Sequence, residues 1–179
     1  MSKLNRLKYE TYSKLEYLVN QKDAEAYFRV MSKFPNAVGF DKKSNGYLVI
    51  NKTHSPSGLE SEVGGCVVLK KLGYCVELLN ESPSIVSLDV KVNDLIFEMK
   101  CFSEGKDLLN GIIKHFKRTY HKSDKLVLHI NKKVEFSNIK RAIRIASEKY
   151  STIKTVILIF ENKAIELNKN NMKSGKYVI

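Results

Sequence analysis

The sequence predicts an α/β domain with a mixed central β-sheet flanked by helices. Three apolar runs, YCVELL at 74–79, LVLHI at 126–130 and TVILIF at 155–160, have the length and β-branched content of buried strands. Amphipathic stretches at 59–72, 107–121 and 137–150 alternate with them, the pattern of a sheet covered on both faces. A chain of 179 residues suits one domain of roughly 100–200 residues, and its 43% hydrophobic content supplies a core.

In chain order, Leu4, Leu7, Leu15, Leu18 and Val19, then Ala26, Tyr27, Val30 and Met31, keep helical spacing. They predict one or two helices over residues 1–34, stopped at Phe34-Pro35-Asn36 because proline disfavours helix in the residue before it. Residues 1–40 are read as an N-terminal helical arm and 41–179 as the main domain. DKKSNG at 41–46 predicts a polar turn, and GYLVIN at 46–51 a short strand. SPSG at 55–58 suits a helix start; Leu59, Val63, Cys66 and Val67 then share a face up to about Leu72, and Gly73 ends the helix. Strands follow at 74–79, 85–92 and 95–101, the last two flanking Asn93-Asp94, a pair suited to a two-residue turn. A helix at 107–121, a strand at 126–130, a helix at 137–150 and strands at 155–160 and 164–167 complete the domain. The polar run from Lys169 predicts a loosely held tail.

Lys and Arg total 31 against 19 Asp and Glu, a net charge of +12. Such an excess points to a polyanionic partner. Cys66, Cys75 and Cys101 form no CxxC pair, so the expected setting is reducing cytoplasm, with the cysteines as small buried hydrophobes. No apolar run approaches the roughly 20 residues of a membrane span, and MSKLNRLKYE shows no leader-like apolar segment. Collagen-like, mucin-like and disulfide-framework proteins are excluded. The four histidines lack zinc spacing, and no phosphate-binding P-loop, GxGxxG fingerprint or GxSxG elbow occurs.

The basic charge is concentrated. Residues 101–154 hold 13 Lys and Arg against 5 Asp and Glu. On the 107–121 helix, Lys114, Lys117, Arg118 and His121 fall in one stripe, opposite Leu109, Ile112, Ile113, Phe116 and Tyr120. A cationic stripe of this kind suits the backbone of a nucleic acid, and a solvated lysine-rich face is the plain alternative. Tyr9, Tyr12 and Tyr17 suit base stacking or helix packing.

The most informative stretch is LDVKVNDLIFEMK at 88–100. A two-residue turn at Asn93-Asp94 sets Asp89 opposite Glu98. Val90, Val92, Leu95, Phe97 and Met99 then line one side, and Asp89, Glu98 and Lys100 the other. Opposed carboxylates repel, whereas a divalent cation between them turns repulsion into coordination, since hard Mg²⁺ prefers carboxylate oxygens. Lys100, beside Glu98, suits positioning a water or offsetting charge on a phosphoryl oxygen. A solvated hairpin face is the plain alternative here, and Asp94 is read as a loop-tip residue.

With Glu60 and Glu62 opening the upstream helix, the order helix with Glu, strand, Asp strand, E-x-K strand, helix, strand resembles the PD-(D/E)XK nuclease superfamily. More narrowly, GYLVIN, the His-containing loop at 52–57, LESEVGGCVVLKKLGYCVELL and DVKVNDLIFEMK resemble the C-terminal nuclease domains of contact-dependent growth-inhibition toxins and phage minor-capsid-fused homologues. The resemblance spans about Gly46–Leu167, with its specific part at Glu60–Lys100, and Leu88 replaces the eponymous proline. It implies a restriction-endonuclease-like core and a metal-dependent nuclease. Asp89 and Glu98 hold Mg²⁺ or Mn²⁺, Glu62 joins as the helix acid with Glu60 as the alternative, and Lys100 positions the water. The toxin-like branch implies tRNA or other structured RNA as substrate, the wider superfamily DNA, and an acidic immunity or regulatory protein is a further implied partner. The rival reading is a non-catalytic nucleic-acid-binding module with the same fold.

Overall fold

The structure, a computed structural model, describes residues 29–30, 32–51, 58–80, 88–103, 105 and 107–179. Most of the N-terminal helical prediction, including Tyr9, Tyr12 and Tyr17, the 52–57 loop and the start of the strand expected at 85–92 lie outside them. The chain is α/β with mixed strand pairing. It gathers into two compact units, Met1–Ile96 and Phe97–Ile179.

In the first unit, helix ends at Lys33 before the Phe34-Pro35 stop. Strand β1 (Gly39–Phe40) runs antiparallel to β2 (Tyr47–Ile50). Helix α1 (Leu59–Lys71) then crosses over to β3 (Cys75–Leu78), which pairs parallel with β2, as a parallel pair requires. Leu59, Val63, Cys66 and Leu69 are its fully buried stripe. Gly73 follows the helix at φ 93°, a left-handed conformation that glycine adopts without penalty. β4 (Val90–Val92) runs antiparallel to β3, with Val76 opposite Val92 and Leu78 opposite Val90. β5 (Leu95–Phe102) follows directly, and Asn93 and Asp94 between them have φ of 46° and 73°, the expected two-residue turn.

Two details differ from expectation here. Asp89 is a bend residue just before β4 rather than inside a strand, and its carbonyl accepts from the Leu79 N–H at 3.0 Å. Leu95, expected on the apolar side, is 49% exposed, because it sits where the chain reverses and reversals lie at the surface.

In the second unit, β5, β6 (Lys125–Ile130) and β7 (Thr155–Phe160) are parallel, and β8 (Lys163–Asn168) closes antiparallel on β7. Helices α2 (Leu108–Thr119) and α3 (Phe136–Lys149) are the crossovers. Because strand order advances steadily, right-handed crossovers place both helices on one face. Ile112 and Phe116 of α2 and Ile139, Ile143 and Ala146 of α3 share a core with Phe102, Leu126, Leu128, Val156 and Leu158 on that face. Gly111 brings α2 close to β5: a β-carbon there would stand 2.3 Å from the Phe102 ring. Phe97, Met99, Val127, Ile157 and Ile159, on the alternate face, are also buried, as the near-continuous apolar runs require.

The chain end corrects the predicted loose tail. Residues Lys169–Ser174 form helix α4, capped by Asn168, whose side chain accepts from the Asn171 N–H. Met172 is fully buried, and the Tyr177 ring lies edge-on to Phe136 with the Lys140 ammonium above it. Met172→Ala should therefore cost about 2–5 kcal/mol of unfolding free energy in urea titration, while Val178→Ala, at an 82% exposed position, should stay within about 0.5 kcal/mol.

Candidate functional site

The second unit holds half of the predicted catalytic set. Glu98, Lys100 and Phe102 alternate along β5 and so share the face that α2 and α3 cover. Glu98 has no exposed surface, so the solvated-face alternative does not describe it. A buried carboxylate needs compensation, and two ammonium groups supply it at the same oxygen. Lys100 Nζ lies 2.6 Å from Glu98 Oε1 and Lys122 Nζ lies 3.3 Å from it. Lys100 also donates to the Met99 carbonyl at 2.9 Å. The second oxygen, Glu98 Oε2, is buried and has no hydrogen-bond partner among the described residues.

Lys122 was not anticipated from the sequence. It reaches Glu98 because the chain leaves α2 in a turn in which the N–H groups of Lys122 and Ser123 both donate to the Thr119 carbonyl, at 2.8 and 2.9 Å. That turn feeds β6, whose Leu126 is the register partner of Glu98. The helix ends at Thr119, short of the end expected at 121, so Lys122 lies in the turn, where helical spacing does not place it. His115 was also missed, although its spacing of three from Ile112 and four from Thr119 places it on the inward face of α2. Its Nδ1 is buried without a hydrogen-bond partner among the described residues. Burial first, then the charges of Lys100, Arg118 and Lys114, push its pKa down to about 4, against a hydrogen bond with the Cys101 backbone that raises it.

The predicted cationic stripe is present. Lys114, Lys117, Arg118 and His121 are all exposed, opposite buried Ile112 and Phe116, and the His121 ring lies 3.7 Å from that of Tyr120. Cys101 Sγ is 3.7 Å from His129 Nδ1, its register partner on β6. Cys66, Cys75 and Cys101 are all thiols and not disulfide partners.

The other predicted acids belong to the first unit. Glu62 is half-buried in the first turn of α1, where its charge adds to burial in pushing the Cys66 thiol well above its usual range. Glu60 is exposed and paired with Lys33. Asp89 is half-buried. Asp94 stays at the turn, exposed, 3.3 Å from Lys91. Glu77, a buried acid inside the apolar run of β3 that strand patterning alone does not single out, accepts from the Asn51 amide at 3.0 Å. A cavity of about 720 Å³ bounded by Phe34, Phe40, Val67 and Lys71 lies in the same unit. Its buried Lys70 donates to the Asn36 and Ala37 carbonyls, both at 2.8 Å, and so acts as a strut.

Among the described residues no group of three or more His, Cys, Asp or Glu side chains is arranged to hold a metal, and no helix is long and apolar enough to cross a membrane. No family model, no curated protein and no solved structure matches this chain.

The buried His115 makes a testable prediction. The unfolded chain takes up this proton near 6.5, the folded chain only near 4. As pH falls between those values the unfolded state is favoured, while above 6.5 the group is neutral in both states. Thermal melts should therefore show stability falling from pH 6.5 toward 4, and His115→Gln should flatten that limb; an unchanged limb would remove His115 as its cause.

Proposed function

We propose that this protein is a metal-dependent nuclease that hydrolyses phosphodiester bonds in tRNA or other structured RNA, or else in DNA. The observation that carries the reading is Glu98. It is a fully buried acid with one oxygen between two lysines and the other unpartnered among the described residues, on the strand preceding a helix with an exposed cationic stripe. A core strand needs no such group for stability, since a well-packed apolar residue serves as well or better.

The unpartnered Oε2 fits a hard cation, Mg²⁺ or Mn²⁺. Glu98 would hold it through that oxygen. Bound there, the ion supplies Lewis acidity toward the phosphoryl oxygen and lowers the pKa of a water. Lys100, fixed against Glu98, orients the attacking water and offsets negative charge on the phosphate. Lys114, Lys117 and Arg118 bind the flanking backbone through charge, and His115, neutral above about pH 4, adds no proton load beside Lys100. The rival, a non-catalytic nucleic-acid-binding module, is favoured by the lack of a three-ligand metal group among the described residues.

Cleavage of unfractionated tRNA and of duplex DNA, with Mg²⁺, Mn²⁺ or EDTA, separates the two. The wild type should cut one of them only with metal, and Glu98→Gln, which keeps the side-chain shape, should lower the rate about 100-fold or more. Binding without cleavage under every metal condition would instead establish the module.

A further inference from the structure

We propose that Lys122 forms a phosphodiester-binding subsite at the Glu98 cluster, gripping a backbone phosphate of the nucleic acid while Lys100 stays with the carboxylate. The inference rests on the reading of Glu98 as the centre of a nucleic-acid-processing site. One carboxylate oxygen faces two ammonium groups, so the cluster carries a surplus positive charge. The two lysines divide unequally. Lys100 is the shorter contact, at 2.6 Å with its side chain 21% exposed, and it is tied to the Met99 carbonyl as well. Lys122 is the longer contact, at 3.3 Å, and its side chain is 43% exposed. It is the group with open surface for a second anion.

No acid in the same turn competes for it. Asp124 is paired with Lys125 at 2.8 Å and Lys154 at 3.3 Å, and the Lys125 hydrogen bond leads in holding its carboxyl below the usual range. The position is also continuous with the stripe on α2. Lys114, Lys117, Arg118 and His121 follow one another along the exposed face, and Lys122 stands in the turn just beyond it. A phosphate chain following the stripe is thereby led to the buried carboxylate. A lysine here serves as a point charge, which suits a phosphodiester oxygen.

The test measures equilibrium binding of labelled tRNA and of a short DNA duplex by fluorescence anisotropy in EDTA, across a salt series. Lys122→Met should bind about tenfold more weakly at low salt, with the log-affinity against log-salt slope reduced by about one. Lys122→Arg should restore both. Lys133→Met, which removes the same charge at an exposed position, should leave affinity within about twofold. A purely structural role would lower the melting temperature without changing the salt slope. Wild-type affinity and slope in Lys122→Met overturn the proposal. If the wild type cleaves with metal, Lys122→Met should raise KM with kcat little changed; a lowered kcat at constant KM overturns the assignment. Should the wild type cleave nothing while the loss of affinity and slope persists, the nuclease reading fails and the phosphate subsite stands.

Discussion

With none of its surface exposed, the Glu98 carboxylate carries a charge that a protein interior tolerates only beside opposite charge. Much of the second unit's polar architecture follows from that constraint. Lys100 answers it from two residues further along the same face of β5, a placement that the alternation of a strand makes automatic. Lys122 answers it from the turn after α2, and that placement depends on the whole β5–α2–β6 crossover being correctly closed. The turn is held by two N–H groups on the Thr119 carbonyl, and the register sets Glu98 beside Leu126 at the start of β6.

The surrounding packing sharpens the charge. Gly111 lets α2 lie close over Phe102, and the core of α2 and α3 excludes water from the face on which Glu98 lies. Electrostatic interactions strengthen as water leaves, so an ammonium beside Glu98 is worth more than one on an open helix. The same exclusion acts in the opposite direction on His115, where burial and three neighbouring cations disfavour the imidazolium. One inward-facing layer thus keeps a carboxylate between two lysines and a histidine neutral. The exposed side of α2 keeps its cations for solvent or for a polyanion.

Elements whose burial repeats locally were legible in the sequence. β6, β7, α2 and α3 lie within about two residues of where their apolar spacing put them, because a period of 2 or 3.6 is a direct consequence of one covered face. The Asn93-Asp94 turn was legible for a similar reason, both residues tolerating positive φ. The docked C-terminus was not. Its burial rests on Met172 and Tyr177 in an otherwise polar run, and Tyr177 meets Phe136 and Lys140, which are distant in sequence. Leu95 was misplaced because alternation carries no information about where a strand runs out of cover.

By itself, then, the sequence determined the α/β class, the cationic stripe of α2 and the fact that Glu98 and Lys100 share a strand face. The class follows from the alternation of strand and helix patterns along the chain, the other two from spacing within one element. Only the tertiary structure decided that this face is buried, that Glu98 Oε2 has no hydrogen-bond partner among the described residues, and that a lysine 24 residues away shares Oε1 with Lys100. The physical reason is that desolvation and charge pairing depend on what another element brings to the same place. Crossover closure and strand register set that, and local periodicity does not encode them.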